Sequence, residues 1–386
     1  MNDFDEQLRK LILRERHNFA GSSSRAIVEL VNLLFDFAIK IRASDMHIEP
    51  FDRALRVRYR VDGQLQEFHQ PLPLSLADAL TARIKILARM DTTAAFLPLD
   101  GAIKFGNVEM RIASMPSFGA ESLTIRLLDS SLELHSLKDL GFTAANEKIF
   151  QQMIEAASGM VILTGPMNSG KSTTLYAALR ELNQPTRSIM TLEDPIEQHV
   201  EGVSQVQVNE KTGLTFAAGL RAMLRMDCNV LMVGEARDAE TSKIAVRAAL
   251  TGHLIFTTLH ANDSCSALFR MLEMGVEPYL LAATLNGVVA QRLVRRVCPQ
   301  CQESGCEHCR GTGYSGRIAL HEILRVDKDL RNLILNSRDL DEIKACALES
   351  GLKTLADDAR DKVRAGLTTL NEVRRVLGED FVKGAD

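Results

Sequence analysis

"MVILTGPMNSGKSTTLYAAL", residues 160–179, is the stretch whose reading decides the fold. MVILT is a short apolar run suited to a buried strand, and TTLYAALREL repeats its apolar residues at helical spacing. Between them, Gly165–Thr173 match G-x-x-x-x-G-K-[ST] in the strand, loop and helix context that the pattern requires. Gly165 and Gly170 let the backbone turn tightly, so that successive N–H groups face phosphate oxygens. The N-terminus of the following helix adds the positive end of its dipole. Lys171 is placed to reach the β- and γ-phosphates of a nucleotide, and the Ser172 hydroxyl to bind Mg2+. The phosphate-contacting set is read as Gly165, Pro166, Asn168, Ser169, Gly170, Lys171, Ser172 and Thr173.

Outward from this loop, SIMTLED (188–194), NVLMVGE (229–235) and HLIFTTLH (253–260) are further short apolar runs, with helical patterns between them. Buried strands alternating with helices predict a mostly parallel sheet in an α/β domain. Phosphoryl transfer needs a metal clamp, a positioned water and charge stabilisation. The NVLMVGE run ends in Gly234 where such domains usually place an Asp, and Glu235 follows it. Glu235 is placed to orient an attacking water; the competing reading is an ion pair with Arg237. Glu193, Asp194 and Glu197 crowd another strand end, suited to metal-bound water, against the reading of a solvated loop held by Pro195. His260 ends a fourth strand, where a neutral imidazole can sense the γ-phosphate. His253 reads as structural.

The N-terminal part has a different grammar. Residues 1–23 read as a polar tail with a short helix at most. Apolar residues at helical spacing predict a helix from Ser24 to Ile41. Leu55, Val57, Tyr59 and Val61 alternate with Arg56, Arg58 and Arg60, the period of a half-buried strand. Asp62-Gly63 supplies a hairpin turn. With a helix near 74–89 and alternating segments up to Leu128, residues 24–128 predict a small α+β domain. Residues 129–140 read as a linker, 141–290 as the α/β domain, 291–326 as a cysteine module and 327–386 as charged C-terminal helices.

Cys298, Cys301, Cys306 and Cys309 fall within twelve residues, and three other cysteines are scattered. C-x-x-C-x4-C-x-x-C fits a Zn2+ site of four thiolates in a reducing compartment better than a disulfide framework. The 386 residues suit about two or three domains. With 46% hydrophobic and 25% charged residues, the chain can bury a large core. A net charge of -4 gives no global attraction to nucleic acid. No apolar run reaches ~18 residues, and the charged N-terminus lacks a secretory signal core, so a cytoplasmic protein is expected.

The strings GPMNSGKSTTLYAAL, TLEDPIE, GLTFAAGLRAMLRMD, VGEARDAET and TGHLIFTTLHAND together resemble the secretion ATPase family, whose members drive type II secretion and type IV pilus assembly. The resemblance covers roughly residues 24–386 in the family's order and implies a short member without the large N-terminal domain of assembly ATPases. It implies an α/β fold with a RecA-like P-loop ATPase core, a smaller N-terminal α+β (PAS-like) domain, a metal module of four cysteines and a C-terminal helical region. It implies Glu235 as catalytic base, Glu193 as a metal or water partner and His260 as phosphate sensor. Arg111 and Arg126 occupy positions whose arginines reach the nucleotide as the two domains close, and Arg58 and Arg60 lie in a matching strand. The implied cofactors are ATP, Mg2+ and Zn2+. The implied partners are further copies in a hexameric ring and an inner-membrane platform protein that holds the chain peripherally at the membrane. No nucleic acid and no membrane span are expected.

Departures from the family bear on mechanism. Asn168 stands where the family usually has glycine, and Asn tolerates a left-handed backbone. Asp227-Cys228-Asn229 stand where it usually has Asp-Pro-Asp, and the missing carboxylate is expected to weaken metal or water binding. That departure, together with AAFLPLDGAIK in the first domain where the family usually carries arginines and PQDGR, motivates an alternative, a non-hydrolysing nucleotide-binding scaffold of the same machine. A RecA-like nucleic-acid motor is a further alternative, disfavoured by the charge and by the lack of a binding motif.

Overall fold

The computed structural model describes residues 2–14, 24–94, 97–129, 136–336 and 339–379. The chain forms two compact units, Met1–Glu133 and Leu134–Asp386.

The first unit contains helices α1 (Asn2–Arg14), α2 (Arg25–Lys40) and α3 (Ala77–Leu87). Its strands are β1 (Asp45–Phe51), β2 (Ala54–Val61), β3 (Gln64–Gln66), β4 (Leu72–Pro73), β5 (Leu99–Phe105), β6 (Val108–Pro116) and β7 (Glu121–Asp129). They form one antiparallel sheet in the order β3-β2-β1-β7-β6-β5, with β4 paired to β2. Ser24 starts α2 by accepting the Ile27 N–H at 3.3 Å. Along β2 the predicted alternation holds: Leu55, Val57, Tyr59 and Val61 are buried with Ile27, Leu30 and Leu34 of α2, and the arginines take the other face. Asp62 and Gly63 both have positive φ, as the turn into β3 requires.

The polar-tail reading of residues 1–23 is corrected over the described part. Phe4, Leu8 and Leu11 recur at helical spacing and are buried, and the Phe4 ring stacks on Phe37 with centroids 3.7 Å apart. Ile12 packs against the same core, and the opposite side of the helix carries most of its charged residues. Residues 15–23 of that tail, and 130–135 of the linker, lie outside the described residues. The linker's last residues form a 3-10 turn, Leu137–Leu140, closed by a capping box between Ser136 and Asp139, with Leu137 and Leu140 buried in the second unit.

The second unit opens with α4 (Ala144–Ile154), β8 (Gly159–Thr164), α5 (Lys171–Leu182), β9 (Ile189–Glu193) and β10 (Ser204–Gln207). Next come α6 (Phe216–Met223), β11 (Val230–Val233), α7 (Ala239–Leu250), β12 (Leu254–Leu259), α8 (Ser264–Glu273) and α9 (Pro278–Thr284). The strands β13 (Leu285–Val297) and β14 (Tyr314–Arg325) follow, then α10 (Lys328–Asn336), α11 (Leu340–Glu349), α12 (Leu355–Arg364) and α13 (Leu370–Leu377). The sheet order is β10-β9-β11-β12-β8-β13-β14, parallel except for the antiparallel edge strand β14.

Both faces of this sheet are covered. Val161, Leu163, Met232 and Phe256 pack with α4 and α5, while Met160, Ile162, Leu231 and Ile255 pack with the helices of the opposite layer. This two-sided burial is why the strands read as continuous apolar runs. The α/β core with a RecA-like P-loop layout is thus as expected. A boundary at 290 cuts through β13, however. The cysteine segment is the tip of the β13–β14 hairpin, an extension of the main sheet.

The C-terminal helices clamp that hairpin. Ala290, Val294 and Leu320 pack against Leu355, Val373 and Leu377. Buried Glu372 of α13 accepts the Arg295 backbone N–H at 2.9 Å, Arg295 Nη2 at 2.8 Å and Arg375 Nε at 2.8 Å. Burial alone would push its carboxyl up, but the hydrogen bonds from Arg375 and Arg295 outweigh burial and hold it at about 2, against an ordinary 4.5. A depressed carboxyl contributes stability that is complete above its unfolded value and is lost as pH falls toward the folded one. Glu372→Gln should therefore destabilise the unit at neutral pH by about 1.5–3 kcal/mol. It should also flatten the loss of stability between pH 5 and pH 2, as read by denaturant melts across that range. An unchanged acid limb would show that this carboxylate does not carry the effect.

Candidate nucleotide site and cysteine cluster

The loop after β8 is held in place before any ligand arrives. Thr164 Oγ1 accepts the Ala261 N–H at 2.9 Å, tying the end of β8 to the end of β12. A Cβ at Gly165 would lie 2.5 Å from the Gln291 carbonyl oxygen, so only glycine lets the loop fold this close over β13. Asn168 and Gly170 have φ of 61° and 87°, and Gly170 begins α5. The tolerance expected of Asn168 is thus used. Lys171 donates to the Gly165 and Pro166 carbonyls at 2.8 and 2.9 Å. Burial lowers its ammonium below the ordinary value, and Glu235 pulls in the opposite direction. Ser169 Oγ is buried without a hydrogen-bond partner among the described residues. A buried ammonium on weak carbonyl acceptors and an unpaired buried hydroxyl, below a helix N-terminus, suit a polyphosphate.

The neighbouring strand ends carry the acidic candidates. The parallel register places Leu192 beside Val233, Val233 beside Thr257, and Leu259 beside Thr164. Glu193, Gly234-Glu235 and His260 therefore leave the sheet side by side, next to the phosphate loop. Glu193 is buried; it accepts Thr191 Oγ1 at 2.5 Å and Gln205 Nε2 at 3.1 Å on one oxygen and the Tyr176 hydroxyl on the other. Glu235 is partly exposed, with Arg237 Nε at 2.6 Å and His260 Nε2 at 3.2 Å. The Arg237 pair weighed against a catalytic role is therefore present. His260 Nδ1 lies 3.1 Å from the Gly165 carbonyl, so the imidazole bridges Glu235 and the loop. Both ring nitrogens face acceptors, whereas a neutral imidazole donates from only one. Asp194 and Glu197 are exposed.

The expectation attached to Asn229 is corrected. This residue precedes β11, at the strand end opposite Glu235. Its side-chain oxygen accepts the Ser188 N–H at 2.8 Å, stitching the starts of β9 and β11 together. A carboxylate lost there is lost from the end of β11 away from Glu235.

Arg111 and Arg126 lie in the first unit. Arg111, Arg126, Asp45 and Arg60 form one cross-strand row over β6, β7, β1 and β2. Buried Asp45 takes Arg126 Nε at 3.0 Å and Arg60 Nε at 3.4 Å, and Arg111 has Glu109 at 3.8 Å. Arg58 is held in a bidentate pair by Glu49, from Nε to Oε2 at 3.1 Å and from Nη2 to Oε1 at 3.1 Å.

Sequence reasoning missed the polar partners supplied by distant elements. Gln291 accepts Thr174 Oγ1 at 2.8 Å behind the loop. Arg292 donates to the Gln291 and Asn262 carbonyls at 3.0 and 2.8 Å. The signal was Gln-Arg interrupting the apolar run VVAQRLV.

At the hairpin tip, the four cysteine sulfurs lie within 4.8 Å of one another. The pairs Cys298–Cys306, Cys301–Cys309 and Cys306–Cys309 are 3.8, 3.6 and 3.7 Å apart. A tetrahedron with Zn–S bonds of about 2.3 Å has edges of about 3.8 Å, so the set fits Zn2+. Cys309 Sγ also receives the Cys306 and Gly313 N–H groups at 3.2 and 3.3 Å. Gly313 has positive φ, and a Cβ there would meet the Glu303 carbonyl at 2.7 Å. The short spacer between cysteine pairs thus closes into one cluster.

Asn168→Gly should leave nucleotide affinity within about twofold, whereas Asn168→Val should weaken it about tenfold, because a β-branched residue resists positive φ. Fluorescent-ADP titration checks both. Equal affinities would show that residue 168 leaves the left-handed region when nucleotide binds.

Residues 21–375 match the family described as type II/IV secretion system protein. Type II secretion system protein E of Aeromonas hydrophila is 44% identical, over 92% of this chain and 76% of that protein. The type IV pilus assembly ATPase PilB of Myxococcus xanthus is 42% identical, over 90% and 67%. Among solved structures, the Legionella pneumophila ATPase DotB superposes with a TM-score of 0.73 at 24% identity, covering 92% of this chain and 96% of that one. The pilus retraction motor PilT with bound ADP gives 0.65 at 26% identity, covering 89% and 96%. With the phosphate loop and the row of strand ends in place, and the match running through both units, this chain belongs to the type II/IV secretion ATPase family.

Proposed function

We propose that this chain binds ATP with Mg2+ at the loop 165–173, hydrolyses it, and turns the cycle into domain motion within a hexameric ring of like subunits. The motion would drive assembly of a type IV pilus or a type II pseudopilus, with the ring held at the inner membrane by a platform protein. Similarity to protein E and PilB supports that choice of machine. Among the described residues, no helix is long and apolar enough to cross a membrane.

The observation that supports hydrolysis is the row of strand ends in which Glu235 and His260 stand next to the phosphate loop, with Glu193 on the neighbouring strand β9. The Ser172 hydroxyl would hold the Mg2+ that comes with ATP, which would supply neutralisation of the phosphate charge. Lys171 exchanges two carbonyl acceptors for phosphate oxygens, a stronger charge-assisted pairing. Glu235 orients the attacking water once it leaves Arg237. His260, already touching Glu235 and the Gly165 carbonyl, reports on whether the loop is filled. Arg111 and Arg126 are the proposed partners for charge developing on the transferred group.

Lys171→Ala should abolish nucleotide binding or turnover. Glu235→Gln should keep nucleotide affinity but lower kcat by about 100-fold or more, since a water-orienting base is removed from an intact cradle. Parent-level turnover in Glu235→Gln would withdraw the role given to that carboxylate.

The four thiolates make a closed Zn2+ site, which leaves no open position for chemistry, so its role is structural. Protein purified without added metal should carry about one Zn2+ per chain by elemental analysis. Cys301→Ser should lose that metal while fluorescent-ADP affinity stays within about twofold, because the two sites share no partner. A fully folded, metal-free chain that is active in assembly would remove the zinc assignment.

A further inference from the structure

We propose that Tyr176 is a positioning residue for hydrolysis: its phenol fixes the Glu193 carboxylate, and the loop after β9, to the helix that begins at Lys171. The proposal rests on the reading that Glu193 serves hydrolysis.

Tyr176 sits on α5, five residues after Lys171, and is 3% exposed. Its hydroxyl accepts the Glu197 N–H at 3.2 Å and faces Glu193 Oε2. A phenol has one proton to give, and an ionised carboxylate only accepts. The chain of donors therefore runs one way, from Glu197 N–H to Tyr176 O–H to Glu193. The other Glu193 oxygen is taken by Thr191 and Gln205. Gln205 also accepts the Val200 N–H at 2.8 Å and donates to the Gln198 carbonyl at 2.9 Å. The segment carrying Asp194 and Glu197 is thus tied down at Glu197 by α5 and at Gln198 and Val200 by β10.

Two further observations separate this from ordinary core packing. Phenylalanine would fill the same space, but would leave Glu193 Oε2 buried and unpaired, so packing alone does not explain a tyrosine. Burial, with Glu193 alongside, pushes the Tyr176 phenol well above its ordinary value, which keeps it a neutral donor. Glu193 in turn lies against the Gly-Glu turn: a Cβ on Gly234 would be 3.5 Å from the Glu193 Cα, and Gly234 N–H bonds the Leu192 carbonyl at 2.8 Å. Tyr176 therefore joins the helix that starts in the phosphate loop to the backbone from which Glu235 emerges, through one carboxylate whose oxygens are both occupied.

The test compares Tyr176→Phe, Glu193→Gln and the double variant, reading kcat, KM for ATP, fluorescent-ADP affinity and the Mg2+ dependence of turnover. Tyr176→Phe should lower kcat about tenfold to hundredfold, the worth of a hydrogen bond to a buried carboxylate. KM and ADP affinity should stay at parent values, and the double variant should be no slower than Glu193→Gln. Parent-level turnover in Tyr176→Phe with slow Glu193→Gln would overturn the proposal and leave the role of Glu193 standing. Parent-level turnover in Glu193→Gln would instead remove that role, and the proposal with it. A parallel loss of ADP affinity and kcat in Tyr176→Phe would mark simple structural support and also overturn it. If Tyr176→Phe does not fold, replacing Tyr176 by 3-fluorotyrosine keeps the hydroxyl and changes its acidity. A shifted kcat at constant ADP affinity then supports the proposal, and an unshifted kcat overturns it.

Discussion

The parallel backbone ladder joining β9, β11, β12 and β8 sets where every candidate side chain of the second unit can stand. Parallel strands in register end at the same height, so the residues just beyond them converge without long loops. Gly234 shows the constraint at its tightest. Its N–H still bonds the Leu192 carbonyl one residue past the strand, and a Cβ would come within 3.3 Å of that oxygen. The chain stays pressed against β9 until Glu235, which is the first side chain with room to leave the sheet. The usual aspartate position is spent on backbone contact, and the carboxylate follows one residue later.

Around this frame the charged groups satisfy one another locally. Lys171 rests on two carbonyls, Glu235 on Arg237 and His260, and Glu193 on three neutral donors. These contacts differ in strength. A buried ammonium on neutral carbonyls holds weaker partners than a charged acceptor would offer. Glu193 sits in a fully satisfied network, and moving it would strand buried donors. In the proposed cycle Lys171 is the member that exchanges partners, and Glu193 is the fixed one.

Much of this was legible because it is local. The loop 165–173 is contiguous, its glycines answer to backbone conformation, and its flanking strand and helix have their own periods. The alternation in β2 and the Asp62-Gly63 turn were readable for the same reason. What sequence alone concealed is pairing across distance. Thr174 and Gln291 are 117 positions apart, and no periodicity says that they meet. Asn229 read as a weakened metal or water position because the resembled family usually has Asp-Pro-Asp there, yet the strand carries it to the end away from Glu235. The helix at 2–14 was hidden differently: a few apolar residues among many charges make a weak pattern, and a docking surface is needed before they count.

The strand β13 runs from the back of the phosphate loop to the cysteine cluster with no break in chain. Gln291 touches Thr174, and Cys298 follows the strand's last residue. Seven residues of extended backbone span about 23 Å. A hydrogen-bonded strand cannot lengthen without tearing its ladder, so it transmits tilt and twist but takes up no slack. The register shift between Arg295 and Val297 bends the strand just before the first cysteine and gives that tilt a direction. With α13 clamped to Arg295, a tilt of β13 behind the loop 165–173 would be carried along the hairpin to the sulfur cluster at its tip.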